Sequence, residues 1–325
     1  MSEVTCSRRF DRALIAGRCL LLIVFIAINA NCKDVGTSRL VEVLRNNNVF
    51  ELQRMIQRGT KVDHPIDGGY IPLTFAVASN SYECSKVLIA YGADPKSVGK
   101  NGITALGMAC AQNNARLVTL LLLHGGDPNQ LESDNGTTPL LIASRSRSGD
   151  VEIVTRLLEA GANVDQKEPK YGETPLMAAA AAGSLASVNV LLLHGAKLST
   201  KDYCAWTAVH FAVANKHLEI AARLTNDRTA LNKVMEEVNF ITLVEAGMFA
   251  EAKAFVNGGI DLEIKAPFNG VGRTALMVAA QHNDIEFAKI LLEAGASRET
   301  KCLDGRMAVD FVASKGTELE RLLRP

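Results

Sequence analysis

Aromatic residues are scarce in this chain: tryptophan occurs once, and Phe, Trp and Tyr together make up 5% of 325 residues. Large globular cores and sheet sandwiches lean on those side chains, so their scarcity favours small, regular helices. A surplus of either charge is missing too, with 35 Lys and Arg against 35 Asp and Glu. Without basic excess there is little to hold a phosphate backbone, and no nucleic-acid partner is expected. The seven cysteines are scattered and include no C-x-x-C pair, which excludes a zinc ribbon and a disulfide framework. A phosphate loop, a nucleophile elbow and an H-E-x-x-H helix are absent as well. No enzymatic activity, cofactor or metal is therefore expected.

A long apolar run is also lacking. The unbroken apolar run from Cys19 to Ala27 falls short of the roughly 20 residues that cross a bilayer comfortably. It lies in SRRFDRALIAGRCLLLIVFIAINANCKD, which carries Arg8, Arg9, Arg12 and Arg18. A basic start, a short apolar segment, and Ile28 and Ala30 ahead of a cleavage point compose a signal peptide over residues 1–30. The mature chain would begin at Asn31, with residues 31–36 as a linker. Export to a secreted or periplasmic location is expected. The alternatives are a membrane anchor through residues 13–30, which would be the chain's one membrane contact, and a buried apolar helix. Arg8-Arg9 fits a twin-arginine signal poorly, and Asn31 before Cys32 argues against lipid attachment. Cleavage would leave Cys32, Cys84, Cys110, Cys204 and Cys302, an odd number that sits awkwardly with export.

What the chain has in abundance is repetition. NGITALGMACAQNNARLVTLLLLHGGDPN, NGTTPLLIASRSRSGDVEIVTRLLEAGANVD, YGETPLMAAAAAGSLASVNVLLLHGAKLS and GRTALMVAAQHNDIEFAKILLEAGASRE share one pattern. Thr104, Thr138, Thr174, Thr207 and Thr274 open their units at intervals of 34, 36, 33 and 67 residues, the last spanning two units. In each unit a threonine at a helix N-cap precedes proline or another residue in the first turn. A short helix of small residues, a helix with an apolar stripe and a helix-ending glycine follow. Those glycines are Gly59, Gly92, Gly125, Gly161, Gly195, Gly259 and Gly295. A period near 33 with a Gly-x-Thr-Pro-Leu opening resembles the ankyrin repeat, over nearly the whole of residues 37–323.

The resemblance implies an all-α repeat solenoid of stacked helix-turn-helix units with short hairpin tips. Nine units are expected, opening near Ser38, Ile71, Thr104, Thr138, Thr174, Thr207, Val238, Thr274 and Met307. The first and last are atypical, as caps should be. An irregularity falls at 225–240, where TNDRTALNKVMEEVNF interrupts the pattern; it is either a drifted repeat that still stacks or a hinge.

Each histidine has a place in the repeat. His210 matches the histidine of the family's Thr-Pro-Leu-His opening, which implies a structural ring bridging backbone groups of neighbouring units. His124 and His194 precede helix-ending glycines, where a cation suits the helix dipole. His217 and His282 fall in inter-helix turns and His64 on a tip. Cys84 and Cys110 fall on inward positions; Cys204 and Cys302 fall on tips three units apart, too far for a disulfide.

The resemblance also implies a non-enzymatic scaffold that binds another protein through a concave face of tips and first helices. On the tips the outward candidates are Tyr70, Tyr171, Tyr203 and Trp206. On the first helices, the residue after the histidine slot faces the groove: Phe75, Met108, Ile142, Ala178, Phe211, Thr242 and Val278. Tyr and Trp dominate binding hot spots, so Tyr70, Phe75, Met108, Tyr171, Tyr203, Trp206 and Phe211 are the candidate contacts. Trp206 has the alternative of folding onto its own hairpin. Two other functions are weighed: a regulatory or inhibitory subunit of an exported enzyme, and a metal-dependent enzyme using Cys204, His210 and His217.

Overall fold

Threonine sets the start of most repeats. Thr104, Thr138 and Thr174 lie in extended backbone, and their hydroxyl oxygens accept the N–H groups of Gly107, Leu141 and Met177. Pro72, Pro139 and Pro175 take the first helical position, where a missing N–H costs nothing. The computed structural model describes residues 39–66, 69–99, 102–132, 136–146, 151–225, 227–267 and 271–325. The expected signal peptide and linker lie outside the described residues.

Among the described residues the helices come in pairs. The first two pairs are α1 (Arg39–Arg45) with α2 (Val49–Gln57), and α3 (Pro72–Ala78) with α4 (Tyr82–Ala90). Next come α5 (Ala105–Ala111) with α6 (Ala115–Leu123), and α7 (Pro139–Ser144) with α8 (Val151–Glu159). The fifth pair is α9 (Pro175–Ala182) with α10 (Leu185–Leu193), the sixth α11 (Ala208–Ala214) with α12 (Leu218–Thr225). Then follow α13 (Arg228–Glu245) with α14 (Phe249–Val256), and α15 (Ala275–Gln281) with α16 (Ile285–Glu293). A single 3₁₀ turn (Ala308–Phe311) and α17 (Glu318–Leu323) close the chain. There are no strands among the described residues, only isolated bridges within the tips, so the fold is an all-α repeat solenoid.

The seven expected helix-ending glycines all adopt left-handed backbone, with φ between 76° and 99°. The described turns inside the pairs need a left-handed residue as well. Asn47, Asn80, Asn113 and Asn283 supply it at φ 49°, 56°, 55° and 56°, whereas the sixth pair has Lys216 at 63°. Asparagine tolerates this region because its short amide bonds locally; lysine has no such help. Lys216→Asn is therefore expected to stabilise the protein by about 0.5–1 kcal/mol, seen as a higher urea midpoint; an unchanged or lower midpoint would contradict that.

The contacts divide the chain into two compact units. One takes in residues 39–170 with Thr174–Lys197, the other Tyr171–Glu173 with Leu198–Pro325. In the first, α1, α3, α5, α7 and α9 pack in succession, as do α6, α8 and α10. Close stacking is allowed by small side chains: Ala178 to Ala182 on α9 are all buried.

In the second unit, α13 replaces what a regular repeat would supply. Asp227 caps it by accepting the Thr229 N–H at 2.8 Å, and its 18 residues cover the stretch where a tip is expected. No opening occurs at Val238, which is buried in mid-helix. This helix packs on α11 and α12 before it and on α14 and α15 after it. With no tip between them, the hairpins at 202–206 and 266–273 meet directly: the Cys204 sulfur lies 3.1 Å from the point a Cβ on Gly272 would occupy. The next hairpin continues the row, its Leu303 N–H donating to the Val271 carbonyl at 2.8 Å.

Candidate interaction surface

The hairpin that holds Tyr203 is built around one buried carboxylate. Asp202 Oδ1 accepts the N–H groups of Cys204 at 2.9 Å and Trp206 at 2.7 Å, and Ala205 turns the chain at φ 69°. Tyr203 N–H donates to the Tyr171 carbonyl at 2.9 Å. Its ring lies over Gly172, where a Cβ would come within 2.9 Å of a ring carbon, so only glycine leaves room. Tyr171 and Tyr203 are thus brought together. Tyr203 is 45% exposed, and Tyr171 is half-buried.

Trp206 does not point outward as the sequence leads one to expect. It is fully buried, in a core cluster that includes Val238, Phe240, Ile264 and Ala266, with its ring edge-on to Phe211 at 5.5 Å and tilted against His210 at 5.6 Å. The core cluster it joins draws on Val238, Phe240, Ile241 and Val244 of α13, the helix that stands where a tip was expected. Phe211 is left half-buried.

The first-helix candidates also need correcting. Phe75 and Met108 are each 1% exposed, and Ile142, Ala178 and Val278 are buried too. Tyr70, itself half-buried, covers Phe75 edge-on at 6.4 Å. Of that row only Phe211 and Thr242 keep partial access.

The histidines do structural work. His210 Nδ1 accepts the Thr207 N–H at 3.2 Å, so its proton sits on Nε2, which donates to Glu237 Oε2 at 2.9 Å. The ring thus keeps a backbone partner at Thr207 within its own unit, while its other end meets a carboxylate on α13 instead of the backbone group expected from a neighbouring unit. His124 and His194 bond through Nδ1 to the carbonyls of Leu120 at 2.8 Å and Val190 at 2.9 Å, satisfying helix ends.

All four described cysteines are free and buried; Cys204 and Cys302 lie on tips, and their side chains turn inward there. Burial, with a smaller push from Glu83, raises the Cys84 thiol to about 11. Burial and Asp202 raise Cys204 to about 12, and such thiols are poor nucleophiles. Among the described residues no group of three or more His, Cys, Asp or Glu is placed to hold a metal. No described helix is long and apolar enough to cross a membrane.

One polar site escaped the sequence reading. In three repeats the residue three places into the first helix turns back to accept the N-cap N–H: Met177 takes that of Thr174, His210 that of Thr207, Met277 that of Thr274. The third repeat has Gly107 there, and Glu132 arrives from the following tip instead, accepting the Thr104 N–H at 2.6 Å. A Cβ on Gly107 would lie 2.3 Å from the Glu132 carboxyl carbon. A glycine in a slot that sibling repeats fill with methionine or histidine was the available clue.

Comparison with known proteins agrees with this architecture. The family model described as Ankyrin repeats (3 copies) matches residues 92–168 and 147–234, and that for Ankyrin repeat matches 271–302. Human "Ankyrin repeat and SOCS box protein 3" is 31% identical over 112 residues, which is 34% of this chain and 20% of that protein. "Ankyrin repeat and KH domain-containing protein mask-1" of Caenorhabditis elegans is 25% identical over 300 residues, covering 86% of this chain and 10% of that one. The zebrafish (Danio rerio) "Putative palmitoyltransferase ZDHHC13" is 28% identical over 272 residues, 78% of this chain and 34% of that protein. The chain thus spans about a third or less of the length of these relatives.

Proposed function

Because this chain belongs to the ankyrin-repeat family, we propose that it is a non-enzymatic scaffold that binds another protein through tips and first helices, with Tyr203 and Tyr171 as anchors. Ankyrin repeats are a protein–protein interaction module. The observation that carries the reading is Tyr203: a large aromatic, 45% exposed, held on a hairpin whose backbone is fixed at both ends. An aromatic already ordered in the free protein loses little entropy on binding, which is what makes a hot spot. Trp206, buried on the same hairpin and edge-on to Phe211, supports it from beneath.

Tyr203→Ala is expected to weaken partner binding by about tenfold or more while changing stability by less than about 1 kcal/mol. Affinity capture with the full chain, followed by titration of the captured partner, measures the first; urea denaturation measures the second. Unchanged affinity would overturn the assignment.

Export through residues 1–30 is part of the proposal. It rests on the arginines and the Cys19–Ala27 apolar run. It places the partner outside the cytoplasm, where an exported enzyme under regulation would be one such partner. The N-terminus of secreted material is expected near Asn31, and an intact Met1 would contradict cleavage.

A further inference from the structure

Glu132 differs from the surface acids around it. It is 1% exposed and reaches from the tip before α7 back to the first turn of α5 in the preceding repeat. Oε2 accepts the Thr104 N–H at 2.6 Å; Oε1 faces the Thr104 hydroxyl, whose oxygen accepts the Gly107 N–H at 3.1 Å. Among the described residues no Lys, Arg or His pairs with it. On α5 the neighbouring titratable group is the Cys110 thiol, kept protonated by burial and by Glu132 itself. The sequence of α7, PLLIAS, contains no titratable side chain. On its own tip, Asp127 is turned to the Asn129 N–H at 2.8 Å; residues 133–135, which include Asp134, lie outside the described residues.

We propose that Glu132 is a proton-sensitive clasp between the third and fourth repeats, closed when the carboxyl is neutral and loosened when it is charged. A buried carboxylate without a basic partner is costly to keep out of water. The neutral acid avoids that cost and keeps both contacts: Oε2 still accepts the Thr104 N–H, and the proton on Oε1 donates to the Thr104 hydroxyl oxygen. Opening the tip lets the charged form regain water. Burial pushes the Glu132 pKa up to about 7, against the opposing pull of the Thr104 and Gly107 hydrogen bonds.

The sign follows from proton binding. The closed form holds its proton to a higher pH than the opened form, whose carboxyl titrates near the ordinary value of 4.5. The stabilisation is therefore complete below that value and is lost as pH rises through about 7. Between pH 6 and pH 8 this linkage corresponds to roughly a tenfold increase in the open fraction.

Hydrogen exchange at the Thr104, Gly107 and Met108 amides of the full chain, corrected for intrinsic rates, tests the clasp. Protection is expected to be about tenfold lower at pH 8 than at pH 6. In Glu132→Gln, whose amide keeps both contacts without a charge, protection should be flat over that range. A wild type without the drop, or a variant that retains it, would overturn the proposal. A measurement independent of any variant is the carboxyl-carbon NMR titration of Glu132: an inflection near pH 7 supports the clasp, and one in the ordinary carboxylate range overturns it.

Discussion

Replacing Trp206 with alanine is expected to cost the C-terminal unit about 3–5 kcal/mol. The ring is fully buried in a cluster that includes Phe240, Ile264 and Ala266, and it contacts His210 and Phe211. Removing it leaves a void in that cluster, among elements held by their own hydrogen bonds and unable to collapse fully into it. The cavity cost then adds to the lost burial. Circular dichroism during urea denaturation measures the effect, since the variant has no tryptophan left to report by fluorescence. A near-zero change would restore Trp206 as an exposed contact residue.

Three consecutive leucines supply the second large effect. Leu191 on α10 is fully buried, Leu192 is intermediate and Leu193 is 83% exposed. Leu191 faces the apolar stripe against α8 and α9, whereas Leu193 has turned some 200° around the helix into solvent. Leu191→Ala is expected to cost about 2–5 kcal/mol, Leu193→Ala within about 0.5 kcal/mol, and Leu192→Ala an amount between. Equal costs at 191 and 193 would mean that α10 presents a different face to its neighbours.

The repeat was legible because its determinants are local. Threonine caps, prolines in the first turn and left-handed glycines act within a few residues of themselves, so their spacing fixes where helices begin and end. The second helices follow from the same logic, and Leu191 is buried where the stripe places it. Reading α13 was harder. TNDRTALNKVMEEVNF has lost the glycine that ends a helix, yet it carries Asp227 as a cap and Leu231, Val234, Val238 and Ile241 at helical spacing. That spacing favours one long helix, whereas the period of about 33 residues favours a new opening at Val238, and here the local spacing wins.

The site was less legible because exposure is decided elsewhere in the chain. Trp206 is buried in a cluster that draws on residues more than thirty positions later, such as Phe240 and Ile264. The same holds for Glu132, whose partners lie 28 residues earlier on another repeat. Tyr203 and Tyr171 could be placed near one another from the repeat alone; that Gly172 makes room for the ring needed coordinates.

In the proposed complex the partner touches the Tyr203 hairpin from outside while Trp206 supports it from within. The most direct measurement places a photo-crosslinking phenylalanine analogue at position 203 of the full chain, with Leu123 on α6, 77% exposed, as a control. The account predicts a covalent adduct with the partner from position 203 and none from position 123. An adduct from 123 with none from 203 would contradict it.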